Sequence, residues 1–188
     1  LNENDLITAL RHNNENAFRF LVDRYQKSVF NIALGFVQQK ENAEEVTQEV
    51  FIKVFETIAG FKQDAKLSTW VYRIAVNQSL DFIRHTKRKK RFAIITSMFN
   101  KADELIHQPP DFCHPGVVLE NKEQATVLFK AIAQLPQSQK TAFLLQKIDG
   151  CSQQKIAAIM QLTEGAVESH LFRAKATLKK LLINYYQA

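Results

Sequence analysis

Cysteine is nearly missing from this chain: two residues in 188, Cys113 and Cys151, in unlike contexts and at no paired spacing. That argues against a disulfide framework and a thiolate zinc site, and a reducing cytoplasm is the simplest setting. The five histidines, His12, His85, His107, His114 and His170, are scattered, and neither cysteine has an evident helical partner at ligand spacing. Metal, cofactor and enzyme readings therefore find no support. No run approaches the ~20 apolar residues of a membrane span, and no signal-peptide pattern is visible, so membrane insertion is not expected. The first residue is Leu1, which points to a trimmed or altered start. Of four prolines, Pro109, Pro110 and Pro115 fall together, with Gly116 beside them.

What remains is helical pattern and localised charge. The apolar fraction of 46% is ordinary for a globular protein and leaves room for one large domain or two small ones. The net charge of +6 is unevenly spread. Residues 1–83 carry nine basic and eleven acidic side chains, and residues 84–91 carry six basic and none acidic. Residues 92–117 sum to −2 and residues 118–188 to +4. Two separated basic patches suit a polyanion held at two points.

The densest information lies between Lys62 and Arg91. Leu67, Trp70, Val71, Ile74, Ala75, Leu80, Phe82 and Ile83 recur mostly at spacings of three or four, which predicts one buried helix face. The other face offers Lys66, Arg73, Asn77, Gln78, Asp81 and Arg84, and Ser68 or Thr69 is expected to cap the helix start. Upstream, residues 2–39 read as two helices with Asn14 as a turn or cap, and Gly35 interrupts the second pattern. Residues 41–59 read as another helix, capped by Asn42, with Glu44 and Glu45 in its first turn. Val46, Val50, Phe51, Val54, Phe55 and Ile58 form its apolar stripe. Glu45, Gln48 and Glu49 fall outside that stripe, as a solvated face or a docking surface.

Residues 92–117 read as a linker with at most one short helix around Ile94, Met98 and Leu105. Its reach is at most about 90 Å at ~3.5 Å per residue, against about 70 Å for two turns of duplex. The chain from 118 reads as four helices. Pro136 is expected at a first helical position, Gly150 as a stop, and Ser152 and Thr163 as caps. The last two helices make a helix-turn-helix pattern, with Ile156, Ile159, Leu162, Val167 and Leu171 as its core and Ala157 at the close approach. Groove geometry then puts Glu164, Glu168, Ser169, His170 and Arg173 near base edges, and Lys175 and Lys179 near phosphate. A plain helical bundle with a basic last helix is the alternative.

Two long stretches carry a resemblance. AEEVTQEVFIKVFETIAGFKQDAKLSTWVYRIAVNQSLDFIR (Ala43 to Arg84) and LPQSQKTAFLLQKIDGCSQQKIAAIMQLTEGAVESHLFRAKATLKKLL (Leu135 to Leu182) resemble the second and fourth conserved regions of bacterial RNA polymerase sigma factors of the extracytoplasmic-function subgroup. The resemblance implies an all-α fold of two small helical domains, 1–91 and 118–188, joined by a flexible linker at 92–117. It implies no enzymatic activity in the chain, and core RNA polymerase and promoter DNA as partners. Glu45, Gln48 and Glu49 match the family's surface for the beta-prime subunit, with beta also in contact. Lys66, Ser68, Arg73, Asn77, Asp81 and Arg84 match its reader of the −10 element, where separated strands present a flipped base. Lys87, Arg88, Lys89, Lys90 and Arg91 would hold phosphates. Tyr72 could stack on bases, whereas Trp70 suits the core better. The helix-turn-helix matches the reader of the −35 element. An anti-sigma factor, often at the membrane, is implied as regulator of a cytoplasmic chain that joins the nucleoid when active.

One departure stands out. Glu168 and His170 in VESHL replace residues that are basic in many relatives, so promoter sequence does not carry over. Glu168 either reads a cytosine amino group or stays uninvolved. The competing reading is a free-standing repressor or activator with a helical sensor domain, which would bind duplex tightly by itself as a symmetric dimer.

Overall fold

The computed structural model describes residues 2–99 and 122–186, and every regular element among them is helical. The first group is α1 (Glu3–Arg11), α2 (Glu15–Val37), α3 (Lys40–Thr57), a single 3-10 turn (Ile58–Gly60) and α4 (Leu67–Phe99). The second is α5 (Lys122–Ala133), α6 (Gln137–Ile148), α7 (Gln153–Met160) and α8 (Glu164–Tyr186).

Local chemistry sets several of the ends. Asn2 Oδ1 accepts from the amides of Asn4 and Asp5, and Asn14 Oδ1 accepts from Ala17 at 3.0 Å, which satisfies orphan donors of α1 and α2. In the second group Ser152 Oγ accepts from Lys155 and Thr163 Oγ1 from Ala166, each at 3.2 Å. Gly150 follows α6 at φ +62°, a left-handed conformation that glycine adopts without steric cost.

Several ends differ from the sequence reading because distant residues set them. Neither Ser68 nor Thr69 caps α4, since both lie inside its first turn. The amide of Leu67 is instead satisfied by Glu3 Oε1 at 2.9 Å, a cap supplied by α1. Gln39, not Asn42, precedes α3, and Asn42 donates back to its side chain, which puts Glu44 and Glu45 beyond the first turn. Pro136 stands one place before α6, at its cap position. The expected linker is helical as far as Phe99, so the basic run rides on a continuous helix. Leu105 and the prolines after it lie outside the described residues.

α2, α3 and α4 pack mutually around Leu21, Val29, Ile32, Val46, Val50, Val54, Leu67 and Val71, all essentially without solvent contact. Each fully buried aliphatic side chain contributes about 1.5–3 kcal/mol. α1 closes one end, with Arg11 Nη2 donating to the Phe61 carbonyl at 2.5 Å. Trp70 is half-buried and lies 4.8 Å from Phe61, centroid to centroid, so it packs as core. In the second bundle α8 packs on α5, α6 and α7 around Leu144, Leu145, Ile156, Ile159, Val167, Leu171 and Ala174. Leu162, assigned to that core from sequence, is 39% exposed, because Gln161 at φ 56° turns the chain outward just before it.

The two bundles touch along α2 with α6 and α4 with α7. Gly35 explains itself here. A Cβ at this position would stand 2.8 Å from Ile148 Cδ1 and 3.1 Å from Leu144 Cδ2. The glycine that weakens the helix pattern admits α6 against α2.

Candidate nucleic-acid interface

The periodicity of α4 sorts its polar residues. Arg73, Asn77, Asp81, Arg84, Arg88 and Arg91 follow each other at intervals of three and four, so they form one stripe along the helix. Asn77, Asp81, Arg84, Arg88 and Arg91 are exposed. Asp81 and Arg84 pair with one another, which leaves a locally neutral step before the run of basic residues 87–91. Both members of that pair are more than half exposed, so it contributes little to stability and opens readily to another partner. Lys66, exposed just before α4, is in line with the stripe. Ser68 is half-buried and sits one turn before the buried Tyr72, away from it.

The surroundings of Arg73 and Tyr72 were invisible to the sequence reading. Arg73 is half-buried, and its Nη2 donates to the carbonyl of Ala158 on α7 at 2.7 Å, while its Nε is shielded without a partner. Tyr72, offered as a stacking residue, is 5% exposed. Its ring meets Tyr25 edge-on at 6.4 Å, and Lys155 Nζ lies 4.1 Å from its centroid, so no base reaches it in this arrangement. Burial pushes its hydroxyl well above the usual tyrosine range, aided by nearby Asp149 and Cys151 and opposed by a hydrogen bond with Ser28.

Lys87 and Lys90 leave the stripe and line a cleft of about 390 Å³ shared with Gln38 and Lys140. Lys140 is almost fully buried, and its Nζ donates to the Phe36 carbonyl at 3.0 Å. Burial, with the Lys87 charge adding, lowers its pKa to about 8.

On α3, Glu45, Gln48 and Glu49 are exposed as expected. Beside Gln48 lies an apolar hollow of about 630 Å³ formed by Phe18, Val22, Phe51, Ile52 and Phe55. Ile52 is 51% and Phe55 47% exposed. The sequence signal was there, since the apolar stripe of α3 is wider than one buried face requires.

On α8, Glu164, Glu168, Ser169, Arg173, Lys175 and Lys179 are exposed, along the helix that follows the tight turn. His170 is half-buried with Nδ1 turned from solvent and without a partner, so it is set apart from the others. Phe172, which the sequence reading passed over, is 73% exposed and stands one turn beyond Glu168 on the same face. Among the described residues there is no group of three or more metal-ligating side chains, and no helix is long and apolar enough to cross a membrane.

Residues 21–89 match the family model for sigma-70 region 2, and residues 126–178 match that for sigma-70, region 4. The RNA polymerase sigma-H factor of Pseudomonas aeruginosa is 29% identical over 180 residues, spanning 96% of this chain and 93% of that protein. The ECF RNA polymerase sigma-E factor of Escherichia coli is 29% identical over 178 residues, spanning 95% and 93%. Among solved structures, CnrH in complex with the cytosolic domain of CnrY aligns with a TM-score of 0.69 at 22% identity, covering 97% of each chain. The sigma factor RpoE in complex with the anti-sigma factor NepR from Bartonella quintana aligns with a TM-score of 0.62 at 21% identity, over 88% of this chain and 96% of that one. Those two likenesses concern the fold.

Proposed function

The chain belongs to the sigma-70 family, in its extracytoplasmic-function subgroup, and on that premise we propose how its residues divide the work. It directs core RNA polymerase to promoters and carries no chemistry of RNA synthesis itself. The observation that carries the residue assignments is the α4 stripe, in which polar groups run in one line into the basic run of the same helix.

In this reading Lys66, Ser68, Arg73, Asn77, Asp81 and Arg84 engage the −10 element, where unstacked bases of the separated strand gain hydrogen bonds and stacking. Lys87, Arg88, Lys89, Lys90 and Arg91 hold the backbone electrostatically. On α8, Glu164, Glu168, Ser169 and Arg173 face the −35 element, with the half-buried His170 at the margin of that surface; Phe172 offers an apolar contact for a thymine methyl, and Lys175 and Lys179 take phosphate. Glu45, Gln48 and Glu49, with the adjoining apolar hollow, form the docking surface for core polymerase. The unit boundaries at 1–91 and 118–188 belong to the same reading. An anti-sigma partner of the kind bound to the CnrH and RpoE folds is part of it, as are a cytoplasmic setting, association with the nucleoid in the active state and retention at the membrane by that partner.

The test is a mobility-shift titration on fragments of the source genome, with the chain alone and with core polymerase. Weak, sequence-indifferent binding alone and a specific complex with core support the reading. Tight binding of a palindromic duplex by the chain alone, as a dimer, refutes it.

A further inference from the structure

The cleft of about 390 Å³ beside the basic run is lined by α4, the end of α2, the start of α3 and one residue of α6. Three ammonium groups reach it: Lys87 and Lys90, one turn apart on α4, and Lys140 from α6. None of the described residues that line it is acidic. Lys140 is 9% exposed, and of its three N–H donors one goes to the Phe36 carbonyl at 3.0 Å. A buried cation is ordinarily paired with an opposite charge, because its desolvation is otherwise uncompensated. Here the charge acting on it is that of another cation, Lys87, and a pKa lowered to about 8 still leaves it charged at neutral pH. Gln39 and Asn42 bring the first turn of α3 to the same cleft. The Gln39 side chain caps none of the helix amides, so α3 adds the positive end of its dipole. The rest of the wall is largely apolar, with Val37, Phe82 and Ile83 half-buried.

We propose that this cleft binds a small phosphorylated ligand of the nucleoside diphosphate kind, its phosphates held by Lys87, Lys90 and Lys140 and its base laid against Val37, Phe82 and Ile83. Three ammonium groups and a helix start, with no carboxylate among them, suit a group carrying two or more negative charges. The volume lies at the lower end of the range for small-ligand sites, and an apolar wall with a few polar groups is their usual composition. Asn42 and Thr86 supply polar groups that can orient a base or sugar. The DNA backbone carries the same phosphate chemistry and reaches the exposed Lys87 and Lys90 from outside, as in the reading above. The Lys140 ammonium is too deeply buried for a surface-bound duplex, whereas a free diphosphate enters the cleft. The inference stands independently of the promoter reading.

The test is fluorescence anisotropy of the full chain with N-methylanthraniloyl-ADP as probe, at an ionic strength of about 0.15 M, where exposed charges are screened. The site predicts saturable binding of one probe per chain, displaced by ADP, GDP and inorganic pyrophosphate, less well by AMP, and not by adenosine. Lys140→Met weakens binding about tenfold, equivalent to about 1.4 kcal/mol. Lys53→Ala, at an exposed lysine outside the cleft, leaves it unchanged. Circular dichroism checks that Lys140→Met keeps its helices. If it does not, Lys87→Ala, at an exposed position, takes its place with the same loss expected. Absence of saturable binding at millimolar ADP overturns the proposal, as do cleft variants that bind like the wild type or an equal loss in Lys53→Ala. Displacement of the probe by a short single-stranded oligonucleotide but not by ADP also overturns it, and gives the cleft to the nucleic-acid path instead.

Discussion

Arg73 and Ala158 lie 85 positions apart in the chain and are joined by one hydrogen bond, guanidinium to carbonyl, at 2.7 Å. The bond links the helix that carries the polar stripe to the first helix of the helix-turn-helix. Its energy is modest, on the order of 1.5–3 kcal/mol for a charged donor, so it is a contact that a nucleic-acid phosphate or base can displace. Arg73, proposed for recognition, is thereby engaged between the two helical groups.

Alkaline pH strengthens the packing of the two bundles. Lys140, with its pKa lowered from 10.5 to about 8, loses its proton in the packed state before it does so when exposed. Between its two pKa values the packed state binds fewer protons, so stability rises with pH from about 8 upward. From pH 8 to pH 9 the gain is about 1 kcal/mol. Above that, Cys151, raised to about 11 by burial, opposes it, because its folded pKa exceeds the ordinary value of 9.0 and its contribution is lost as pH climbs. Urea unfolding at pH 7, 8 and 9 checks this: wild type gains on Lys140→Met over the last step. Parallel curves contradict it.

Arg88 is exposed on the stripe, beyond the neutral Asp81–Arg84 pair. Arg88→Ala is expected to weaken DNA binding equally across sequences. It should also flatten the plot of log affinity against log salt by about 0.9. Fluorescence anisotropy over a salt series reads both. An unchanged slope removes Arg88 from the phosphate contacts.

The parts legible from sequence are those decided within a few residues. Asn14, Gly150, Ser152 and Thr163 hold the ends assigned to them because a cap or a left-handed turn is a local matter. The all-helical architecture followed from periodicity, and the basic run and the tight turn before α8 were equally plain. What escaped was set at a distance. The cap of α4 comes from Glu3, 64 residues away. Tyr72 is covered by Tyr25 of its own bundle and Lys155 of the other, and Lys140 is held by Phe36 of the opposite bundle; no spacing within α4 or α6 announces either. Gly35 read as a flaw in a helix until Ile148 appeared against it. Arg73, Asn77, Asp81 and Arg84 share one face of α4, as their spacing predicts, whereas Ser68 and Gln78 lie off it, and the engagement of Arg73 needed α7 in place.

Run-off transcription with purified core polymerase on promoter fragments tests the central claim most directly. The account predicts discrete transcripts only when the chain is added. Asn77→Ala, which removes an exposed polar group from the middle of the stripe, should reduce them roughly tenfold, equivalent to about 1.4 kcal/mol. Glu49→Lys should reduce them by weakening assembly with core, without altering the fold of the chain. Absence of any transcript, together with tight duplex binding by the chain alone, would contradict the account.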